Sequence, residues 1–124
     1  MKFWIRIVVG LALVVAGLGL AAPAQANPAG CIPANTCQYR NLNYTGDLYQ
    51  WTAAFIQNQP NRCLNLTGAA NNSATSLYNA TSANFYYWTG PNCTETAYAL
   101  FSGHSTALLS GTYNDQISSI QLVP

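Results

Sequence analysis

Charge is what this chain of 124 residues has least of: charged side chains make up 6% of it, with Lys and Arg contributing 4 and Asp and Glu 3. Two of the cations, Lys2 and Arg6, stand at the N-terminal end. The rest of the chain carries Arg40 and Arg62 against Asp47, Glu95 and Asp115. Two cations cannot neutralise a run of phosphates, which disfavours a nucleic-acid partner. The same shortage leaves no polybasic patch for an anionic membrane surface. Histidine is nearly absent too. His104 is the single one, so a Ser–His–Asp arrangement could use no other base. Gly103-His104-Ser105 reads as a loop and lacks the strand–turn–helix context of a nucleophile elbow. There is no C-x-x-C, and His104 has no ligand spacing around it, which disfavours zinc. A glycosidase pair would need two of Asp47, Glu95 and Asp115. All three fall in predicted turns, where structural roles account for them. An enzyme is therefore not expected. Helix signals are scarce, and no apolar run beyond the N-terminal one is long enough to span a bilayer.

That N-terminal run has the order of a secretory signal peptide. Lys2 and Arg6 form a positive start, Ile7 to Leu20 is apolar, and Ala24-Gln25-Ala26 is a small-residue cleavage site. A spanning helix needs about 20 apolar residues, and this run is short and diluted by Gly10, Gly17 and Gly19. We therefore expect residues 1–26 to be removed and residues 27–124 to form one small, soluble extracellular domain, expected to be monomeric. Its surface is built from Asn, Thr, Ser, Gln and Tyr. All four cysteines, Cys31, Cys37, Cys63 and Cys93, lie in this part. An even count in a short exported chain reads as a disulfide framework. Of three possible pairings, sequence proximity favours Cys31–Cys37 and Cys63–Cys93, the second tying the two halves together.

Strand signals recur every eight to twelve residues, separated by turn residues, as in a sandwich. Strands are expected at Gln38–Asn43, Leu48–Trp51, Cys63–Leu66, Thr75–Asn79, Ala83–Thr89, Tyr98–Phe101, Ala107–Ser110 and Ile117–Val123. Turns are expected at Tyr44–Asp47 and Gly90–Asn92, with a loop over Phe55–Arg62. A repeat at an offset of about 43 residues runs through this pattern: Asn71-Asn72-Ser73-Ala74-Thr75-Ser76-Leu77 echoes Asn114-Asp115-Gln116-Ile117-Ser118-Ser119-Ile120. Each copy is a polar turn, a hydroxyl pair and an apolar strand residue, and each follows an aromatic hairpin. Solenoids and propellers need more copies; two fit a two-fold sandwich. Tyr39, Leu77, Phe85, Tyr87, Ile117 and Ile120 are the expected core. Trp51, Trp88 and Tyr98 read more readily as core than as a sugar-stacking platform.

Tyr39, Tyr44 and Gly46 have the aromatic, aromatic, glycine spacing of the first hairpin of the βγ-crystallin Greek-key family, which this chain resembles. The aromatic folds over a tight hairpin, and the glycine takes an angle other residues resist. The resemblance implies an all-β, two-sheet Greek-key sandwich. The start Cys31…Cys37-x-Tyr39, the segment Ser76–Thr81 and Tyr86-Tyr87-x-Thr89-Gly90 are similar to exported bacterial proteins of the streptomycete metalloproteinase-inhibitor family, which shares that sandwich. The second hairpin departs from the crystallin pattern: Asn92, Cys93, Thr94 and Glu95 follow in place of the aromatic and glycine.

From these resemblances come two functional expectations. The first is reversible inhibition of a secreted endopeptidase, a metallopeptidase above all, by a stiff loop. Pro91, Asn92, Cys93, Thr94 and Glu95 have both a proline turn and a cysteine anchor, and Glu95 could approach a catalytic cation. The alternative loop, Gln57–Leu64, holds Arg62 for a trypsin-like pocket, then Cys63, and Leu64 for a metallopeptidase preferring a bulky residue after the cleaved bond. The second is weak calcium binding, with no other cofactor. Microbial crystallin-type signatures fit Asn71–Ser76 and Asn114–Ser119, offering side chains of Asn72, Thr75, Asp115 and Ser118 and carbonyls of Ser73 and Gln116. Calcium takes six to eight oxygens, and its affinity follows ligand charge; only Asp115 is charged. The same residues could simply cap turns.

Overall fold

A computed structural model describes Pro28 and residues 30–124. The expected signal peptide, residues 1–26, lies outside the described residues. The described residues form eight strands: β1 (Asn35–Asn41), β2 (Thr45–Thr52), β3 (Cys63–Asn65), β4 (Ser76–Asn79), β5 (Phe85–Gly90), β6 (Thr94–Leu100), β7 (Ser105–Thr106) and β8 (Ser119–Leu122). One short helix, α1 (Ala53–Gln57), follows β2. The strands form two antiparallel four-stranded sheets, ordered β2-β1-β4-β7 and β3-β8-β5-β6. Each half thus keeps three of its strands and sends its third, β3 or β7, to the edge of the other half's sheet. Reversing the second order gives β6-β5-β8-β3, the same pattern as β2-β1-β4-β7 with the halves exchanged. The sandwich is all-β, Greek-key and pseudo-two-fold.

Alternation decides which residues fill it. Leu77, Phe85, Tyr87, Leu100, Ile117 and Ile120 belong to the core between the sheets, each at most 1% exposed. Side chains from opposite faces of a strand separate in this way because the strand period is two. β1 is buried on both faces. Thr36 and Gln38 face inward: the Thr36 hydroxyl and the Tyr87 phenol share a hydrogen bond of 2.8 Å, and Gln38 Nε2 donates to the Ala70 carbonyl at 2.7 Å. Cys37 and Tyr39 face outward into a second cluster with Cys31, Leu48 and Tyr44. Tyr39 meets Tyr44 edge to face, 5.7 Å between centroids. The segment before β1 is held over this face by Cys31–Cys37 and by Gln50, which accepts from Ile32 N (2.9 Å) and donates to Gly30 O (3.2 Å). Burial raises the Tyr87 phenol pKa, opposed by the Thr36 bond, and raises that of Tyr39 with help from Tyr44 and Tyr78.

Four local expectations need correction. Phe55–Arg62 is not all loop: Thr52 caps α1, its hydroxyl accepting from Phe55 N at 3.0 Å, and Ala53-Ala54 are strong helix formers. The strand expected at Ala107–Ser110 is instead β7, two residues earlier. Beyond Thr106 the backbone bonds elsewhere, with Ala107 O accepting from Asn43 N and Leu109 N donating to Thr75 O. The first hairpin turns at 42–44, before the expected Tyr44–Asp47, because Asn43 and Tyr44 take the positive φ angles (55° and 58°). Trp51, Trp88 and Tyr98 are only partly buried; Trp51 and Tyr98 pack on the core, while the Trp88 indole donates to Gln121 Oε1 at 3.1 Å.

Candidate functional site

The second hairpin is where the two halves part company. Its backbone repeats the first. Asn92 and Cys93 take φ of 57° and 55° where Asn43 and Tyr44 take 55° and 58°. Cys93 N donates to Ser119 Oγ at 2.9 Å as Tyr44 N donates to Ser76 Oγ at 3.0 Å. Each serine returns a 2.7 Å bond to a carbonyl, of Gly90 or Asn41. Thr94 and Thr45 close each turn through Pro91 O and Leu42 O, at 2.6 and 2.7 Å.

On this common frame the side chains differ. Cys93 stands where Tyr44 stands, and Glu95 where Gly46 stands. Glu95 holds φ +75° and Gly46 +80°. Left-handed backbone costs an ordinary L residue about 1–2 kcal/mol, so Glu95 occupies a glycine's conformation. Space is found by a reciprocal exchange. At Gly46 an added Cβ would sit 2.6 Å from Asn41 Nδ2; at Gly90, the counterpart of Asn41, it would sit 2.8 Å from Glu95 Cγ. In one hairpin the Asn41 side chain crosses a glycine, and in the other the Glu95 side chain does. The Glu95 residue stays exposed.

Cys93 is bonded to Cys63 at the start of β3, with Cα atoms 6.1 Å apart. Beside this staple Asn65 Nδ2 donates to Asn92 Oδ1 at 2.8 Å, and Asn92 N donates to Asn65 Oδ1 at 2.6 Å. The two loops read separately in the sequence are therefore one surface. Between them lies a cleft of about 290 Å³, lined by Gln59, Pro60, Asn61, Leu64, Asn65 and Asn92 among others. Asn61 and Arg62 are also left-handed, φ 57° and 53°, so the first loop presents a second tight corner to the same edge. Arg62, Pro91, Asn92, Thr94 and Glu95 are exposed, whereas Cys63, Leu64 and Cys93 are partly buried. The contact was hidden in the sequence because Asn65 gave no signal beyond a strand end.

The paired polar turns lie elsewhere and cross each other. Asn72 N donates to Ile117 O, and Asp115 N to Ala74 O, both at 2.9 Å. Asn72 and Asp115 share left-handed φ, 55° and 58°. The crossing brings residues of both signatures together: Ser118 Oγ donates to Asn72 Oδ1 at 3.0 Å. The side-chain oxygens of Asn71 and Asn114, which open the two signatures, are buried with no hydrogen-bond partner. Calcium takes oxygen ligands, and of the expected side-chain donors Asn72 and Ser118 are the pair that a hydrogen bond brings together. Of the expected carbonyl donors, Ser73 lies in a buried residue and Gln116 in an exposed one. Among the described residues there is no cluster of three His, Cys, Asp or Glu side chains that could hold a metal.

The remaining titratable groups sit apart from this chemistry. His104 is exposed, with Nδ1 3.1 Å from Ser102 O and its ring edge-on to Phe101. Asp47 and Glu95 lie in β2 and β6 rather than in turns, and Asp47 faces Arg40 at 3.7 Å on the surface.

Comparison with solved structures places the sandwich. A βγ-crystallin domain solved for the evolution of the eye-lens βγ-crystallin fold matches at 17% identity and TM-score 0.60, covering 82% of this chain and 93% of that one. A βγ-crystallin domain from Clostridium beijerinckii matches at 19% and 0.55, covering 71% and 95%. One from Flavobacterium johnsoniae matches at 22% and 0.55, covering 73% and 93%. At such identities the likeness concerns the fold. No curated protein matches the chain. A sequence model of peptidase inhibitor family I36 matches residues 24–101, a span that holds both loops of the stapled edge. With well over half of its length inside that match, the chain belongs to peptidase inhibitor family I36, and this βγ-crystallin-like sandwich is an inhibitor's scaffold rather than an enzyme's.

Proposed function

We propose that the chain is exported, loses residues 1–26, and as a monomer reversibly inhibits an extracellular metallopeptidase through the stapled edge made of Arg62–Asn65 and Pro91–Glu95. One observation carries this reading: two exposed loops are locked to each other by Cys63–Cys93 and by the reciprocal Asn65–Asn92 bonds. Binding orders a loop at a cost of about 0.5–1.5 kcal/mol per immobilised side chain. A loop already fixed avoids much of that loss, and a fixed loop is also a poor substrate. Glu95 supports a metallopeptidase target. An exposed carboxylate held where the sister hairpin has glycine is a group kept at some conformational expense, and a catalytic zinc has an open position for an oxygen donor. Leu64, half-buried beside the cleft, offers the bulky side chain.

Titration of the purified mature chain against a panel of secreted metallo- and serine peptidases tests the reading. Inhibition of a metallopeptidase at micromolar concentrations or below is expected. Glu95→Ala and Leu64→Ala should weaken it, and Arg62→Ala should leave it intact. Loss of potency with Arg62→Ala alone would move the target to the trypsin-like class. No inhibition in either class would reject the reading. Terminal sequencing of the exported protein should begin at Asn27.

A second reading is favoured by the Asn72–Ser118 contact and the orphaned oxygens of Asn71 and Asn114. Asn72, Thr75, Asp115 and Ser118, with carbonyls of Ser73 and Gln116, would hold calcium weakly, bridging the two polar turns. In that reading the protein is an extracellular calcium-binding structural domain. Calcium would act by tying the halves together, and the stapled edge would have no target.

A further inference from the structure

The pseudo-two-fold also exposes a missing ring. In the second half Tyr98, on β6, is covered by Tyr113, edge to face with centroids 5.3 Å apart, and the Tyr113 hydroxyl bonds Ala97 O at 3.2 Å. The counterpart of Tyr98 is Tyr49 on β2. Both lie opposite inward-facing strand residues, Tyr87 and Gln38. The counterpart of Tyr113 is Ala70: each precedes its polar turn by one residue, in Gly68-Ala69-Ala70-Asn71-Asn72 and Gly111-Thr112-Tyr113-Asn114-Asp115. The matching bonds of Asn72 and Asp115 across the halves confirm the alignment. Ala70 supplies no ring for Tyr49. What is left is an open groove of about 360 Å³, whose walls include Tyr49, Trp51, Phe55, Leu64, Leu66 and Ala70.

We propose that this groove is a receptor for one uncharged aromatic side chain of the peptidase that the chain inhibits. The occupant's chemistry is read from the other half, where the protein fills the equivalent place with a tyrosine. No charged residue lines the groove, so a Lys or Arg would be desolvated there without a partner, while a phenyl or phenol ring gains area and edge-to-face contacts. Its position identifies the partner. The groove shares Leu64 and Asn65 with the cleft beside the Cys63–Cys93 staple, so a protein seated on the stapled edge reaches the groove without crossing other surface. The partner assignment rests on the inhibitor reading above; the ring site does not. Phe55, on α1 and half exposed, forms one wall. Without that helix, absent from the equivalent stretch after β6, the groove would be shallower.

Two measurements on the purified chain test the site and the partner separately. The first is a titration with p-cresol, followed through the indole N–H resonances of Trp51 and Trp88. The Trp51 signal should shift and saturate, while Trp88, on the outer face of the other sheet, should not. Ala70→Tyr fills the groove from within, as Tyr113 does, and should abolish the shift; Ala70→Phe serves as a second filling variant. The second measurement is the inhibition constant. Ala70→Tyr should weaken inhibition by about tenfold or more, as expected when an aromatic anchor loses its pocket. Absence of a Trp51 shift, or a shift surviving both filling variants, overturns the ring site. Loss of p-cresol binding with unchanged inhibition overturns the peptidase as occupant. A chain that inhibits nothing but binds p-cresol at Trp51 overturns the inhibitor reading and the partner with it, and leaves the ring site standing.

Discussion

The hairpins β1–β2 and β5–β6 share a backbone, down to paired left-handed angles and serine-capped turns, yet they are put to opposite uses. In the first, Tyr44 folds onto Tyr39 and the face is sealed by the segment that carries Cys31. Small and aromatic residues there do what the fold needs. In the second, the aromatic has become a cysteine tied to the neighbouring loop and the glycine has become a glutamate. Tyr39 is 1% exposed, while Trp88, its counterpart, is only partly buried. Where one copy satisfies folding and the other departs from it against local preference, the departure points to a partner outside the chain. The same comparison holds for Ala70 and Tyr113.

The largest effect should come from the staple that the second half alone uses. Opening Cys63–Cys93 by double substitution to alanine removes a closure spanning 30 residues, for which chain entropy gives about 3.5 kcal/mol. The shorter Cys31–Cys37 loop, spanning 6, gives about 2–2.5 kcal/mol. Denaturant unfolding of the two double variants should rank them in this order. Inhibition should fall with the first and survive the second. The reverse pattern would put the function on the N-terminal face.

Next comes a buried side-chain bond that joins the sheets. Tyr87→Phe leaves the buried Thr36 hydroxyl without its 2.8 Å partner, costing about 1–2 kcal/mol. Its pH signature has a definite sign. Desolvation raises the folded-state pKa of Tyr87 above the ordinary value of 10.0, so the folded form holds its phenolic proton more tightly than the unfolded one. The stability this confers is whole below about pH 10 and is lost as pH rises through the raised value. Thermal unfolding of the wild type should therefore worsen steeply above pH 10. Tyr87→Phe should blunt the fall, leaving the smaller part due to Tyr39. An unchanged alkaline profile would mean that Tyr87 ionises freely.

Much of this arrangement can be read from sequence, and the parts that cannot share one cause. Tyr39, Leu77, Phe85, Tyr87, Ile117 and Ile120 stand out as large apolar or aromatic residues in or beside strand-like segments, and all are at most 1% exposed. These signals are local. The exchange of β3 and β7 between sheets is not, because Cys63–Asn65 pairs with Ser119–Gln121, far along the chain. The stapled edge escapes for the same reason: Asn65 and Asn92 meet only through that exchange. The signal for α1, a Thr52 cap and the helix formers Ala53 and Ala54, is masked in the sequence by Asn58, Gln59, Pro60 and Asn61, which read as a loop.

Glu95→Gly sharpens the comparison of hairpins directly, by making the second more like the first. Relief of the left-handed strain is offset in part by the greater freedom of glycine in the unfolded chain, so stability should rise by up to about 1 kcal/mol. Inhibition of a metallopeptidase should fall at the same time. A variant both more stable and less active is the signature of strain retained for function. Equal activity would mean that the glutamate is tolerated there and not used.

The smallest effect concerns the one place where the halves remain nearly equivalent. Asn72 and Asp115 occupy matching positions and differ by one charge. Calcium affinity follows ligand charge, and Asp115 supplies the one charge of the site that would bridge the two turns. A ligand present at its dissociation constant stabilises by about 0.4 kcal/mol, which for a domain of this size raises the melting temperature by about 2–3 °C. Asp115→Asn equalises the halves and should reduce that shift, Asn72→Asp should enlarge it, and Asp115→Ala should remove it. Melting curves with calcium and with chelator decide the matter. Coincident curves in the wild type and in Asn72→Asp would leave both polar turns with the bonds they make to Ile117 and Ala74 as their whole purpose.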